Sequence, residues 1–201
     1  MKTLVRFIPA LLLSGLIACG DSGAGSTPTA ATVSSDLTGY TSTAIPGTDY
    51  VLVEKRNADG QLVESGRMRG DVKDGTWVTY HTDKEIPATV ADYANGNFNG
   101  TYQTFNNRGQ LEMIAGYVNN QLHGKYAKYK FGRKTEDGEY INGKENGTWT
   151  VYYNNKDIPQ KVTTYKNGLT DGPLRFYDEE GNVTVEYEYR NGEKVSGGIV
   201  E

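Results

Sequence analysis

The sequence predicts an all-β protein, a single-layer antiparallel meander of repeated β-hairpins that follows a disordered tether. Three observations carry this expectation. Glycines recur at positions 75, 100, 124, 147 and 172, separated by 25, 24, 23 and 25 residues. Aromatic residues recur with them at fixed offsets, and a multi-position pattern in register over five copies marks a repeat architecture. The 201 residues include 25 glycines and fifteen tyrosines, a composition of strands and turns rather than helices.

The elements follow in chain order. Lys2 and Arg6 form a short basic head, Ile8 to Ile17 a mostly apolar run, and Ala18 a small residue before Cys19. This is the build of an export signal over residues 1–18, too short to remain as a membrane span. Leu16-Ile17-Ala18-Cys19 also resembles the bacterial lipobox. That resemblance implies cleavage before Cys19 and acylation of the new amino terminus. Gly20 follows the cysteine and Asp21 comes one place later, whereas an aspartate directly after it resembles an inner-membrane retention signal. The expected location is therefore the bacterial cell envelope, on the outer membrane where two membranes are present.

Residues 19–46 are Gly, Ser, Thr and Ala with almost no large apolar residues and no Lys or Arg. Such a segment buries too little to order itself. It reads as a flexible spacer between lipid and domain, with a coil dimension of about 30 Å. Residues 47–74 read as a degenerate first unit, in which Tyr50 to Val53 form a strand and Met68 occupies a tyrosine column. Terminal units of arrays deviate because one side lacks a covering neighbour.

Residues 75–196 hold five units, and residues 197–201 a tail. Two positions after each column glycine come Trp77, Tyr102, Tyr126, Trp149 and, breaking the series, Leu174. Five positions after come Tyr80, Phe105, Tyr129, Tyr152 and Tyr177. Seven positions before the next glycine, or before Ser196, come Tyr93, Tyr117, Tyr140, Tyr165 and Tyr189. Asn95-Gly96, Asn119-Asn120, Asn142-Gly143, Asn167-Gly168 and Asn191-Gly192 then supply residues that tolerate the positive φ of a type I′ hairpin turn. Folding about Asn95-Gly96 sets Tyr93 opposite Phe98, and the bare backbone at Gly100 is expected to receive the Tyr93 ring.

At the other strand ends, Asn57 to Gly60, Asn106 to Gly109 and Asp178 to Gly181 fit type I turns. Lys84 to Pro87 and Lys156 to Pro159 form a second kind, and the units that carry them, starting at Gly75 and Gly147, lie 72 residues apart. The sum is a meander of about ten to twelve strands, roughly 50 Å long at about 4.8 Å per strand. Second- and fifth-position aromatics differ by an odd number and so point to opposite faces, which predicts an aromatic ladder on both.

The string Tyr-x-Asn-Gly-x-x-x-Gly-x-(Trp/Tyr)-x-x-(Tyr/Phe), present in Tyr93 to Phe105, Tyr140 to Tyr152 and Tyr165 to Tyr177, resembles the MORN repeat in its bacterial variant form. The resemblance covers about residues 66–196. It implies the repeat-sheet fold. Bacterial proteins of that family are often labelled antitoxin components, and eukaryotic relatives are described as scaffolds or lipid-associated modules. No catalytic or ligand motif travels with the repeat.

Composition narrows the chemistry. Loss of residues 1–18 removes Lys2 and Arg6 and leaves 19 basic against 25 acidic residues, a net charge of −6. Such a chain gains nothing from nucleic-acid phosphates. Cys19 is the only cysteine, so once it is acylated no thiol remains for a disulfide, metal or redox role. His81 and His123 fall in different columns and form no ladder of metal ligands. Asp178-Glu179-Glu180 and the acidic residues of 71–74 lie at turns, and the first lacks the alternating spacing of a calcium loop. No nucleophile elbow or phosphate loop is present.

The expected function is accordingly non-enzymatic and cofactor-free: a lipid-anchored module that docks a protein partner. The alternatives are a glycan- or peptidoglycan-binding lipoprotein, whose mark would be Trp77 and Trp149 lying exposed and flat on one face, and an antitoxin-like partner of an exported toxin. Replacing Cys19 by serine should abolish incorporation of a labelled fatty acid in growing cells. A mature protein that starts elsewhere and carries no acyl chain would refute the anchoring.

Overall fold

The computed structural model describes residues 38–82 and 84–200. The expected export signal, Cys19 and the tether up to residue 37 lie outside the described residues. The described chain is one open antiparallel sheet of fourteen strands in sequence order. They are β1 Tyr40–Ala44, β2 Tyr50–Arg56, β3 Leu62–Arg69, β4 Val72–Tyr80, β5 Pro87–Ala94, β6 Asn97–Phe105 and β7 Leu111–Val118. After these come β8 Gln121–Lys130, β9 Arg133–Ile141, β10 Lys144–Tyr152, β11 Pro159–Lys166, β12 Leu169–Tyr177, β13 Val183–Arg190 and β14 Glu193–Ile199. At the usual strand spacing the sheet is about 60 Å across.

Two expected boundaries change. The tether was placed through residue 46, yet Tyr40–Ala44 is strand β1, paired with β2 from Tyr40–Lys55 to Ala44–Val51. Composition undervalues this segment because it needs no core of its own. A preformed β2 edge supplies its backbone partners, and Tyr40 packs on Val53, Met68 and Trp77 while its phenol donates to Glu64. The tail expected from residue 197 is likewise drawn into β14, which pairs with β13 as far as Ile199.

The hairpin turns have the anticipated chemistry. Asn95, Asn142, Asn167 and Asn191 take φ of 49 to 54°, and the glycines after them 77 to 88°. Between β8 and β9 the same two-residue turn is made by Phe131 and Gly132, at φ of 52° and 77°. Along the rim of the Asn-Gly turns, opposite that of Phe131-Gly132, each hairpin turn docks on the one before it. The N–H groups of Gly96, Asn120, Gly143, Gly168 and Gly192 donate to the carbonyls of Lys73, Phe98, Leu122, Glu145 and Thr170 at 2.8–2.9 Å.

On the other rim Asn57, Asn106 and Asp178 cap their own turns through side-chain oxygens that accept backbone N–H groups two and four residues on. Capping through the ionised form, first to Asn182 and also to the Glu180 and Gly181 backbone, holds the Asp178 carboxyl below its usual range.

The column glycines do a different job from the one expected. Tyr93 does pair with Phe98, and Ala91 pairs with Tyr102, so Asn99, Gly100 and Thr101 together face the single residue Asp92. Equivalent bulges place three residues around Gly75, Gly124 and Gly172 opposite one residue of the preceding strand. All five column glycines have positive φ, from 71 to 126°. A Cβ on Gly100 would meet Asp92 at 2.8 Å rather than the Tyr93 ring, and one on Gly124 or Gly147 would meet nothing within 4 Å. Backbone conformation is what these sites demand. Because each of these bulges inserts an even number of residues, strand parity survives it; one-residue shifts stand at the other strand ends, at Tyr80, Phe105, Tyr129, Tyr152 and Tyr177.

Ring accommodation is performed by other residues. Following the pairing across the sheet gives one row: Val53, Gly66, Trp77, Ala91, Tyr102, Ala115, Tyr126 and Gly138, continued beyond Trp149 by Thr163 and Leu174. From β3 to β12, large residues stand on even strands and small ones on odd strands. The indoles of Trp77 and Trp149 lie across Gly66 and Gly138, where an added Cβ would fall 2.3 and 2.2 Å from the ring. Each indole N–H donates to an equivalent carbonyl, Trp77 to Arg67 at 2.8 Å and Trp149 to Glu139 at 3.2 Å. The smaller tyrosine rings tolerate alanine instead.

This size matching yields a test. Gly66→Ala should destabilise the protein by about 1–3 kcal/mol through overpacking. Adding Trp77→Tyr should recover much of that loss, because Tyr over Ala is the pairing already used at Ala91 and Ala115. Urea denaturation of the two single variants and the double variant measures the coupling, and additive losses would contradict it.

Candidate functional site

One face of the sheet carries a continuous aromatic surface. Its rings come from the second-position column on even strands and the tyrosine column on odd strands, with Phe98 added on β6. Trp77 meets Tyr93, Tyr93 meets Phe98, and Phe98 and Tyr102 both meet Tyr117, with centroids 4.6–6.4 Å apart. A second run joins Tyr126, Tyr140, Trp149 and Tyr165 at 4.9–6.3 Å. Tyr117 and Tyr126 belong to one buried cluster with Ala115 and Trp149, which bridges the runs. Leu174 then ends the ladder, and Tyr189 has no ring partner.

The opposite face has no matching ladder, which corrects the expectation of one on each side. Tyr80, Phe105, Tyr129, Tyr152 and Tyr177 all stand on even strands. Successive members are two strands, about 10 Å, apart. Among the described residues no ring contact joins any two of them, and they serve locally, as Tyr80 does with the Ser65 hydroxyl at 3.4 Å.

Trp77 and Trp149 are only 3% and 7% exposed. They are packing residues on the ladder face, and the flat, exposed indoles that would mark a sugar-stacking surface are not what the fold builds. Of the ladder tyrosines Tyr117 and Tyr126 are buried, and Tyr93, Tyr102, Tyr140 and Tyr165 are half-buried. Desolvation first, then the Glu64 charge and Tyr102, push Tyr93 up to about 12. Desolvation, then Tyr102 and Tyr126, push Tyr117 up to about 12, and burial with the Glu145 charge raises Tyr140 as well.

Where the second run of the ladder crosses β8 to β11 the face opens into a cleft of about 190 Å³ lined by Tyr126, Lys128, Glu136, Tyr140, Glu145, Trp149, Lys161, Thr163 and Tyr165. A further hollow of about 540 Å³ shares Lys128, Glu136, Glu145 and Lys161 with it and runs toward Tyr153 and Asn154. Burial works to lower the Lys128 pKa, but the hydrogen bond and charge of Glu136, 3.1 Å away, outweigh it and leave the ammonium above its ordinary value. Thr163 is 2% exposed and its hydroxyl has no hydrogen-bond partner. None of the polar cleft residues stands in a repeat column. The one sequence signal that marks them is the exchange of Lys73 for Glu145 between units 72 residues apart.

The histidines are placed in rim contacts. His81 Nε2 donates to the Phe105 carbonyl at 2.9 Å, and Tyr153, its counterpart 72 residues later, donates to the Tyr177 carbonyl at 2.6 Å. Both latch one turn to the next. His123 Nδ1 accepts from the Asn142 N–H at 3.5 Å on the Asn-Gly rim. Among the described residues no three His, Asp or Glu side chains are grouped as metal ligands. No helix among the described residues is long and apolar enough to cross a membrane. No protein-family model matches the chain, and no curated protein matches it.

The tyrosine shifts set a pH dependence. Folding raises these phenols above 10.0, so the stability gained by keeping them neutral is complete below pH 10 and is lost as pH rises through folded values of about 12. The tyrosine contribution should therefore be constant below pH 10, and stability should fall steeply above it. Tyrosinate absorbance should rise in two stages, the ladder phenols titrating last and together with loss of the β-type dichroism. A single titration near pH 10 with the fold intact would contradict this.

Proposed function

We propose that the protein is a non-enzymatic interaction module, held at the bacterial cell envelope by acylated Cys19, that docks a protein partner in extended conformation. The observation that supports this reading is the C-terminal edge. A sheet edge offers unpaired backbone donors and acceptors, and proteins that avoid partners protect it with charge, proline or a covering segment. On β14 Val195 is 50% exposed and Ile199 85%, and Val200 beyond it is 46% exposed. Lys194, a charge positioned to deter pairing, has its ammonium 3.8 Å from the Tyr187 ring centroid, over the face of the sheet. At the other edge β1 reads Tyr-Thr-Ser-Thr-Ala and carries no charge.

Strand addition obtains affinity from main-chain hydrogen bonds and specificity from alternate side chains. Val195 and Ile199 would supply the second. The repeat adds many similar weak contacts along the remaining faces, so capture is spread over units and not held by one residue. A sugar-binding role gains no support from Trp77 or Trp149, which are buried. An antitoxin role requires a partner that is itself exported.

Crosslinking the intact chain in its own cells tests the proposal. Val195→Lys with Ile199→Lys should reduce the captured partner at least about tenfold, a loss near 1.4 kcal/mol. Thermal stability should be little changed, because both positions are exposed. Undiminished capture would remove the edge as the docking element. Loss of a measurable turnover in Asp178→Ala or His123→Ala, with stability retained, would overturn the non-enzymatic reading.

A further inference from the structure

The unit around Trp77 and the unit around Trp149 are equivalent in fold. Gly66 and Gly138 lie under the indoles, the carbonyls of Arg67 and Glu139 accept from them, and Tyr93 and Tyr165 stand beside them. They differ in what faces the ring. In the first unit the Lys73 ammonium sits 3.9 Å from the Trp77 centroid and 5.3 Å from that of Tyr93, and pairs with Glu64 at 2.7 Å. Its register partner is Met68. In the second unit the same register position, opposite Tyr140, is Glu145, while Glu136 stands where Glu64 does. The Trp149–Tyr165 pair and the carboxylate are retained and a second carboxylate is added; Tyr126 and Tyr140 also pack on Trp149, at 5.5 and 4.9 Å, and Lys128 pairs with Glu136, but no cation of the chain stands at the register position of Lys73. The cleft described above opens there.

We propose that this cleft binds a small primary ammonium ion, seated over Trp149 and Tyr165 as the Lys73 ammonium is seated over Trp77 and Tyr93. An ammonium brings three N–H donors and no acceptor. The cleft offers a matching set. Glu145 makes no ion pair within 4 Å among the described residues, Glu136 uses only Oε2 toward Lys128, and the buried Thr163 hydroxyl, which faces the Tyr165 phenol, makes no hydrogen bond within 3.5 Å. The ring faces add a cation–π attraction that strengthens when water is excluded. Lys128 and Glu136, both at the lining, cancel each other, so Glu145 carries the attraction and Lys161 opposes the ligand. The site is independent of the edge pairing proposed above.

The probe is n-butylammonium, which is the lysine side chain without its backbone. It is titrated into the full-length protein while the indole N–H resonances are followed. Expected is a saturable shift of the Trp149 signal, with Trp77 unmoved because Lys73 already occupies its seat. Neutral n-butanol and anionic butyrate should leave both unchanged. Glu145→Lys should place a tethered ammonium on Trp149, moving its signal toward the saturated position and abolishing the response. Glu145→Gln, which removes the charge without filling the cleft, should weaken binding at least about tenfold. Lys161→Met should tighten it.

A shift produced equally by butanol, no saturable shift of Trp149, or full affinity in Glu145→Gln would overturn the proposal. A free amine and a lysine of a partner protein offer the same ammonium. A blocked peptide with one central lysine that binds more tightly than butylammonium identifies the side chain, and weaker binding identifies the free amine.

Discussion

A sheet one layer thick has no second layer to bury its apolar side chains, and the rest of this structure depends on how that constraint is met. The core is made within a single face by laying each large ring across a small residue of the neighbouring strand. Trp77 covers Gly66 and Trp149 covers Gly138, while Tyr102 and Tyr126 stand beside Ala91 and Ala115. Turned on its side, a ring shields both its own edge and the backbone beneath it. Ring-to-ring contacts then add about 0.5–1.5 kcal/mol each beyond area burial. Stability is thus a sum of similar neighbour terms along the sheet, as in other quasi-one-dimensional proteins.

That arrangement works only if every hairpin keeps the same face toward the ladder. The bulges at the column glycines twist each hairpin, and their even insertion preserves parity while the strand changes register by two residues. The Asn-Gly turns close the hairpins, and their hydrogen bonds to the preceding turn tie the units along one rim. His81 and Tyr153 do the same on the other rim. Packing, register and rim contacts are therefore one system with a stride of about two strands.

Departures from the repeat are where individuality enters. Leu174 ends the ring ladder, and the C-terminal hairpin carries exposed apolar side chains on the last strand of the described sheet. Glu145 at the position equivalent to Lys73 sets a carboxylate in the cleft, where its charge adds to burial in raising the Tyr140 phenol. A repeat fixes a scaffold through what recurs. In the proposals above recognition would fall to the positions that do not recur, because they differ in charge or shape from the rest of the array.

Fold class, strand order and the Asn-Gly turns were legible in the sequence, because each rests on local properties: period-two alternation, the φ tolerance of Asn and Gly, and a fixed stride. The pairing of Tyr93 with Phe98 followed from the turn alone. Which glycine receives a ring was not legible, since Gly100 and Gly66 look alike until the bulge shifts the register between strands. Tyr40–Ala44 was also hidden, because its order comes from the β2 edge and not from its own composition. The cleft was decided only in three dimensions. Lys128, Glu136, Glu145 and Thr163 lie on four strands, and nothing local ties them together; cross-strand pairing brings them to one place on the ladder face.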